Sequence, residues 1–286
     1  MAGELTRLGL DDIVPSLSEQ LDVGVRYLDL RLTRTMVAAH REWVSGTTAE
    51  RILDVLRSHL VEHPRDFLLV RIQNANEAKD DFERYGEALR AVISENLDLF
   101  WRPTGTPGGT VWPTIGRIRG RIVAFECAPP RYGLTRICGR PWAVPWHGNG
   151  GILLQDDWDG PDVAVKLEEV RRLHTGANPP GSLVLNHVSA TNGAPGNPAA
   201  YAGGLNPAVL GMLRSGAAGR GVLICDFVDE ELRDYRIFIL SNTNPYVMDF
   251  CESDRFLPNG RTLSSYCVKK FASCEMGMVK PDRRIF

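Results

Sequence analysis

Short apolar runs separated by helix-like stretches limit the folds open to this chain more than any other feature. The runs are Val25–Leu32, Met36–Ala39, Phe67–Ile72, Arg121–Glu126, Ile152–Gln155, Leu183–Val188 and Gly221–Val228, and most are continuously apolar rather than alternating. Strands buried on both faces read that way, so a mostly parallel sheet covered by helices is expected. Thr47 or Thr48 caps a helix that reaches about Glu62, with Ile52, Val55, Leu56 and Leu60 on one face and Pro64 to stop it. A second amphipathic helix runs from about Glu77 to Asn96, turning Phe82, Leu89, Val92 and Ile93 inward. Asp162–Leu173 and Pro207–Arg214 read as two further helices. Arg102–Pro113 is a loop, and Ala128–Gly151, with four prolines and five glycines, reads as a long irregular one. Periodicity fades after Asn244, which suggests a main domain over 1–243 and an extension of unknown role over 244–286. Seven strands in this order suit an α/β barrel, yet a closed one wants eight.

Within the first run, Asp29 and Arg31 are two residues apart. In an extended strand they share a face. Charges on a core strand are costly unless paired or functional. One reading is a structural ion pair at a strand end. The other is a phosphate pocket, because a guanidinium offers a fork of donors suited to phosphate. His40, nine residues after Arg31, would add a titratable imidazole. Barrel enzymes place reacting groups at the C-terminal ends of strands. That rule selects Asp29, Arg31, His40, Gln73, Glu126, Asp156, Asn186, His187 and Asp226. His187 reads as a pocket wall or a base. His59, His63 and His174 read as solvated or capping residues, and His147 as a loop residue. Trp142, Trp146 and Tyr132 either dip into a membrane interface or pack under their loop.

Composition removes several classes. A formal charge of −2, from 33 basic and 35 acidic residues, gives no footing for nucleic acid or for an electrostatic membrane anchor. No stretch reaches the roughly 20 apolar residues of a membrane span. Met1–Arg7 leads into no apolar run, so no signal peptide is expected. Cys127, Cys138, Cys225, Cys251, Cys267 and Cys274 form no C-x-x-C pair, and zinc is not expected on them. Cys251, Cys267 and Cys274 could include a disulfide if the chain is exported.

The block Ser18-Glu19-Gln20-Leu21-Asp22-Val23-Gly24-Val25-Arg26-Tyr27-Leu28-Asp29-Leu30-Arg31 resembles the one after the first strand in phosphatidylinositol-specific phospholipase C catalytic (X) domains. The likeness is to the bacterial and glycosylphosphatidylinositol-cleaving types. His40, His63–Val70, Gly120–Phe125 and Ile224–Val228 follow in the family's order, and the pattern spans roughly residues 16–242. The resemblance implies a distorted (β/α)8 TIM-type barrel. It also implies cleavage of phosphatidylinositol-type lipids at a membrane surface, by attack of the inositol 2-hydroxyl, to give a cyclic phosphate and diacylglycerol. It assigns His40 as general acid, Arg31 as phosphate clamp with Asp29 beside it, and Asp226 as the carboxylate orienting a general-base histidine. Asp156, Trp158 and Tyr201 would meet the inositol ring, and Gln73 stands where the family has a substrate-contacting lysine. Calcium-dependent members carry an acidic residue in place of Arg31, so no metal and no cofactor are expected, and the chain is expected to be a monomer.

One departure stands out. The family's first strand ends in a Gly-Thr-His-Asp-Ser-like turn that supplies the general base, and Met1–Asp12 holds no histidine. The chain as given is expected to lack that strand, through an incomplete start or through divergence. The loss of one acid/base partner typically costs on the order of 10² to 10⁴ in rate. The runner-up reading is therefore a catalytically impaired barrel that binds inositol phosphate head groups without turnover. A glycerophosphodiesterase-like barrel is weaker, since metal-binding carboxylates would be needed where Asp29-x-Arg31 stands. The compartment stays open: soluble as given, and secreted or peripheral to membranes if a segment precedes Met1.

Overall fold

The computed structural model describes residues 17–22, 24–40, 43–76, 82–104, 110–192, 198–216, 219–227, 237–241 and 267–272, with His40, Trp43 and the last two segments described by backbone alone. The chain divides into two compact units, Met1–Asp229 and Glu230–Phe286.

In the first unit, α1 (Leu17–Asp22) ends where Gly24, at φ 104°, turns the chain and donates its N–H to Leu21 O at 3.1 Å. That left-handed backbone is open to glycine at little cost. β1 (Tyr27–Leu32) follows, then the hairpin β2 (Val37–His40) and β3 (Trp43–Thr48). α2 (Ala49–Glu62) is capped by Thr48, whose side chain accepts from the Arg51 N–H. Next come β4 (Leu68–Asn74), α3 (Phe82–Glu95), α4 (Ile115–Ile118) and β5 (Ile122–Glu126). β6 (Arg136–Ile137), β7 (Arg140–Pro141) and β8 (Ala143–Pro145) lead to β9 (Ile152–Gln155). α5 (Val163–Thr175), capped by Asp162, precedes β10 (Leu183–His187), α6 (Pro198–Arg214) and β11 (Val222–Ile224). The second unit holds a parallel pair, β12 (Ile237–Ser241) and β13 (Cys267–Ala272).

A six-stranded sheet has the order β3-β2-β1-β4-β5-β8, and a three-stranded sheet the order β11-β10-β9. β1, β4, β5 and β8 run parallel, as do β9, β10 and β11. The expected α/β architecture with a mostly parallel sheet is thus present. Among the described residues no strand pairing closes the two sheets into a ring.

Alternate residues of each strand serve different layers. Leu28, Leu30 and Leu32 of β1 point to the same side as Leu68, Val70 and Ile72 of β4, where they pack with Ile52, Leu56, Tyr85 and Leu89 of the helices. Tyr27, Leu69, Val123, Phe125, Val144 and Leu185 fill the other side. Leu56, Leu68 and Phe125 are fully buried. Truncating any of them to alanine should cost about 2–5 kcal/mol.

Several elements differ from the sequence reading. The supposed irregular loop over 128–151 contains β8, which is too short and too proline-flanked to show a period. Met36–Ala39 belongs to a hairpin arm antiparallel to β1, because Met36 (φ 56°) turns the chain back. β3 was not anticipated. α6 begins at Pro198 and carries Pro207 inside it, so the proline read as a start is a break that the helix absorbs. β13 lies in the stretch that read as aperiodic. Of the helix expected over 77–96, residues 77–81 lie outside the described residues.

Candidate active site

The layer rule directs Asp29 and Arg31 to the inward side with Tyr27, as their spacing required. In register, Asp29 lies opposite Arg71 and Arg31 opposite Gln73. The Asp29 carboxylate accepts from Arg31 Nη2 at 3.2 Å and Arg31 Nε at 3.4 Å, and from Arg71 Nη1 at 3.3 Å. Arg71 is 9% exposed, places its guanidinium 4.5 Å from the Trp146 ring centroid, and donates Nε–H to Cys127 Sγ at 3.4 Å. Burial opposes its charge, but Asp29 and Cys127 outweigh that and hold its pKa above the ordinary value. Burial pushes the Cys127 thiol up to about 12, so it is no nucleophile.

Arg31 is different. Its side chain is 36% exposed, and among the described residues it donates to Asp29 alone. Asp226 lies two residues beyond β11. Burial raises its pKa, and Arg31 is the charge that pulls the other way. Asp29, Arg31 and Asp226 are thus brought into one electrostatic neighbourhood.

A second group stands on the neighbouring strands. His187 closes β10, is 6% exposed, and sets Nδ1 3.5 Å from Asp156 Oδ1, just past the end of β9. Its ring meets Tyr27 edge-on at 6.3 Å, and among the described residues Nε2 has no hydrogen-bond partner. Burial lowers its pKa despite Asp156, so the imidazole is neutral around pH 7. Behind it, the buried Lys166 donates to Gln155 Oε1 at 3.2 Å and Asp157 O at 2.5 Å. Burial lowers the Lys166 pKa as well. Trp158, 47% exposed, follows Asp156 on the same edge. Gln73 is half-buried near the end of β4. Tyr201 lies on α6, packed with Val170 and Leu205, and its hydroxyl donates to Pro161 O at 3.0 Å. His40 is the last residue of β2, paired with Trp43, and its side chain lies outside the described residues.

Two candidates are corrected by the layer rule. Glu126 shares the helix side with Ile122 and Ala124, and its Oε1 accepts from the Ala128 N–H at 2.8 Å. Asn186 points the same way, donating to Val170 O at 2.8 Å. His59 and His174 are buried rather than solvated, while His63 is the C-cap of α2 as expected. Trp142 and Trp146 are buried, so packing prevails over a membrane role, and Tyr132 stacks on Phe82 at 5.1 Å. Sequence reasoning gave Arg71 no role. Its signal was present in the parallel between Asp29-x-Arg31 and Arg71-x-Gln73 on adjacent strands.

Arg31, Gln73, Asp156, His187 and Asp226 stand at or just past the C-terminal ends of parallel strands, where α/β barrels put their chemistry, and Asp29 lies on the same face two residues before Arg31. One anchored guanidinium and one with spare donors face carboxylates and a neutral imidazole. Such a set can hold a phosphate oxygen and shuttle a proton.

No family model matches the chain. A 1-phosphatidylinositol phosphodiesterase of Listeria monocytogenes is 26% identical over 221 residues, covering 76% of this chain and 68% of the relative. A shorter likeness, 38% over 61 residues, reaches 21% of this chain and 30% of a D-ribitol-5-phosphate phosphatase of Bacteroides thetaiotaomicron. The solved phosphatidylinositol-specific phospholipase C of Listeria monocytogenes superposes with a TM-score of 0.64 at 23% identity, over 78% of this chain and 83% of that one. A Staphylococcus aureus phosphatidylinositol-specific phospholipase C gives a TM-score of 0.57 at 18% identity, over 74% and 76%.

Proposed function

The chain belongs to the phosphatidylinositol-specific phospholipase C family, and from that premise we propose that it cleaves the phosphodiester between inositol and diacylglycerol in phosphatidylinositol-type lipids. The observation that carries the proposal is Arg31: a guanidinium at the open end of a parallel strand, oriented by Asp29 and with donors to spare. A phosphodiester oxygen placed there gains charge-assisted hydrogen bonds, which strengthen as charge builds in the transition state. The inositol 2-hydroxyl attacks phosphorus, the bond to the glycerol oxygen breaks, and a 1,2-cyclic phosphate forms. His40 gives the proton to the leaving glycerol oxygen. Met1–Asp12 holds no histidine to serve as the family's general base, so the 2-hydroxyl proton passes to His187, the imidazole beside Asp156 on the strand next to β11, and Asp226 is the carboxylate that orients that base. Gln73, Asp156, Trp158 and Tyr201 bound the head-group side, with Trp158 open for stacking on the ring. The arginine supplies the positive charge, so turnover should persist in chelator. We assign this work to 1–243, with 244–286 an extension. No helix among the described residues is long and apolar enough to cross a membrane. The exposed Trp158 and Phe227, both just past strand ends, suit contact with a lipid surface.

The test is ³¹P NMR of phosphatidylinositol vesicles incubated with the chain and chelator. Inositol 1,2-cyclic phosphate from the wild type and about 10²–10³-fold less from Arg31→Met is the expected result. Binding of inositol phosphates without any cyclic product would leave a recognition module and overturn the proposal.

A further inference from the structure

The N-terminal ends of the same strands carry a second cluster of donors. His59 and His63 are four residues apart at the C-terminal end of α2, which stacks their imidazoles on one face. Their ring centroids lie 4.5 Å apart. Asp22, the last residue of α1, reaches the same point from a different helix. One ligand atom from each of Asp22, His59 and His63 lies within 4.8 Å of the others. Tetrahedral zinc holds nitrogen and oxygen donors roughly 3.3 Å apart, given bond lengths of about 2.0–2.1 Å. Asp22 and His63 are exposed and can close that difference by small side-chain rotations, while His59 is fixed.

The surroundings favour a cation. His59 is 6% exposed, and its Nε2 lies 3.2 Å from Asp66 Oδ2. A carboxylate behind an imidazole sets the ring and its tautomer, as is usual for metal-bound histidines, and leaves Nδ1 for the ion. Ser18, Ser58, Asp54 and Glu62 line the adjoining surface depression with Asp22 and His59, and Arg51 is its one basic side chain. The last carbonyls of α2 add the negative end of the helix dipole. Arg26 is the other cation at hand. Its charge is already matched by Asp66 at 2.6 Å, and its remaining bonds go to Leu21 O and Val25 O.

We propose that Asp22, His59 and His63 bind a divalent transition ion, Zn²⁺ foremost, with water as the remaining ligand. Two imidazoles and one carboxylate suit zinc and its first-row neighbours, and disfavour Mg²⁺ and Ca²⁺, which require oxygen donors. The ion pins α1 to α2. It acts on stability and not on phosphodiester chemistry, since Arg26 and Asp66 lie just before β1 and β4, opposite the strand ends that bear Arg31 and Asp226. The proposal does not depend on the phosphodiesterase reading.

The experiment titrates Zn²⁺ and Mg²⁺ into the chelator-stripped full chain by isothermal calorimetry, and follows the Tm of each mixture. Zn²⁺ should bind and raise the Tm, and Mg²⁺ should do neither. His63→Ala and Asp22→Asn change exposed residues that the core does not need, and each should weaken the zinc affinity at least 10-fold and abolish the Tm rise. Asp66→Asn, which removes the charge that orients His59 and also pairs with Arg26, should weaken it about 10–100-fold. Zinc binding and a Tm rise that survive in both His63→Ala and Asp22→Asn would place the ion elsewhere and overturn the proposal. So would the absence of zinc binding by the wild type.

Discussion

The two ends of the parallel strands each carry an arginine paired with an aspartate, and they use the pair in opposite ways. At the N-terminal end, Arg26 donates to Asp66, Leu21 O and Val25 O, and Asp66 also meets His59. Every link there joins α1, β1, α2 and the approach to β4. At the C-terminal end, Arg31 donates to Asp29 alone among the described residues, and the second arginine, Arg71, anchors Asp29 from the next strand. An ion pair is structural where its hydrogen bonding is exhausted by the protein and poised for a ligand where donors remain. Residue type and spacing cannot make that distinction. The bonding inventory can.

The comparison breaks most visibly at Arg31. Arg31→Met should lower cyclic phosphate release by about 10²–10³-fold, the usual effect of removing one preorganised donor from a developing oxyanion. Its Tm should move little, because a half-exposed pair contributes about 0–1 kcal/mol. A loss of activity accompanied by an equal loss of folded protein would contradict the division between the two ends. Arg71→Met should lie between the extremes: the Asp29 carboxylate loses its inner partner and the Trp146 ring its cation, so activity and denaturant midpoint should fall together.

At the other end the outcome should invert. Arg26→Met leaves Asp66 and two carbonyls short of donors in a partly buried setting, for which about 1–3 kcal/mol is expected. Urea unfolding should show the loss, while turnover per folded molecule stays as in the wild type. A reduced turnover would mean that the two ends are coupled through β1.

Much of this was legible in the sequence because strand periodicity is strict. The inward direction of Asp29 and Arg31 followed from their spacing once the run around them was a strand, and the C-terminal-end rule located Asp156, His187 and Asp226. It failed for Glu126 and Asn186, since being near a strand end does not say on which face a residue falls, and one step in sequence reverses that face. β8 was hidden because its three residues, Ala143–Pro145, are too few to show a period. Arg71 and the Asp22–His59–His63 cluster were missed for a common reason. Both depend on juxtapositions between elements, Arg71 opposite Asp29 by sheet register and Asp22 beside α2 by helix packing, and neither is written in local pattern.

The smallest expected effect tests the electrostatics of the open end. Burial holds the Asp226 carboxyl above the ordinary carboxylate range, with Arg31 only partly opposing it. A folded-state pKa above the unfolded one means that the folded form retains its proton longer. Stability from this group is then complete below the unfolded value near 3.9 and is lost as pH rises through the folded value. Asp226→Asn should therefore stabilise the chain at neutral pH, and the gain should shrink towards zero as the medium is acidified. Asp98 is the control. The hydrogen bonds from Arg57, at 2.5 and 3.1 Å, hold its carboxyl below the ordinary range, so its contribution is present at neutral pH and lost on acidification. Asp98→Asn should be mildly destabilising at pH 7 and neutral in acid, the reverse of Asp226→Asn. Thermal denaturation of the two variants between pH 3 and 8 decides the matter. If Asp226→Asn destabilises at neutral pH, the carboxylate is held in place by partners that repay its burial, and the open end is not the strained, ligand-ready region that the comparison makes it.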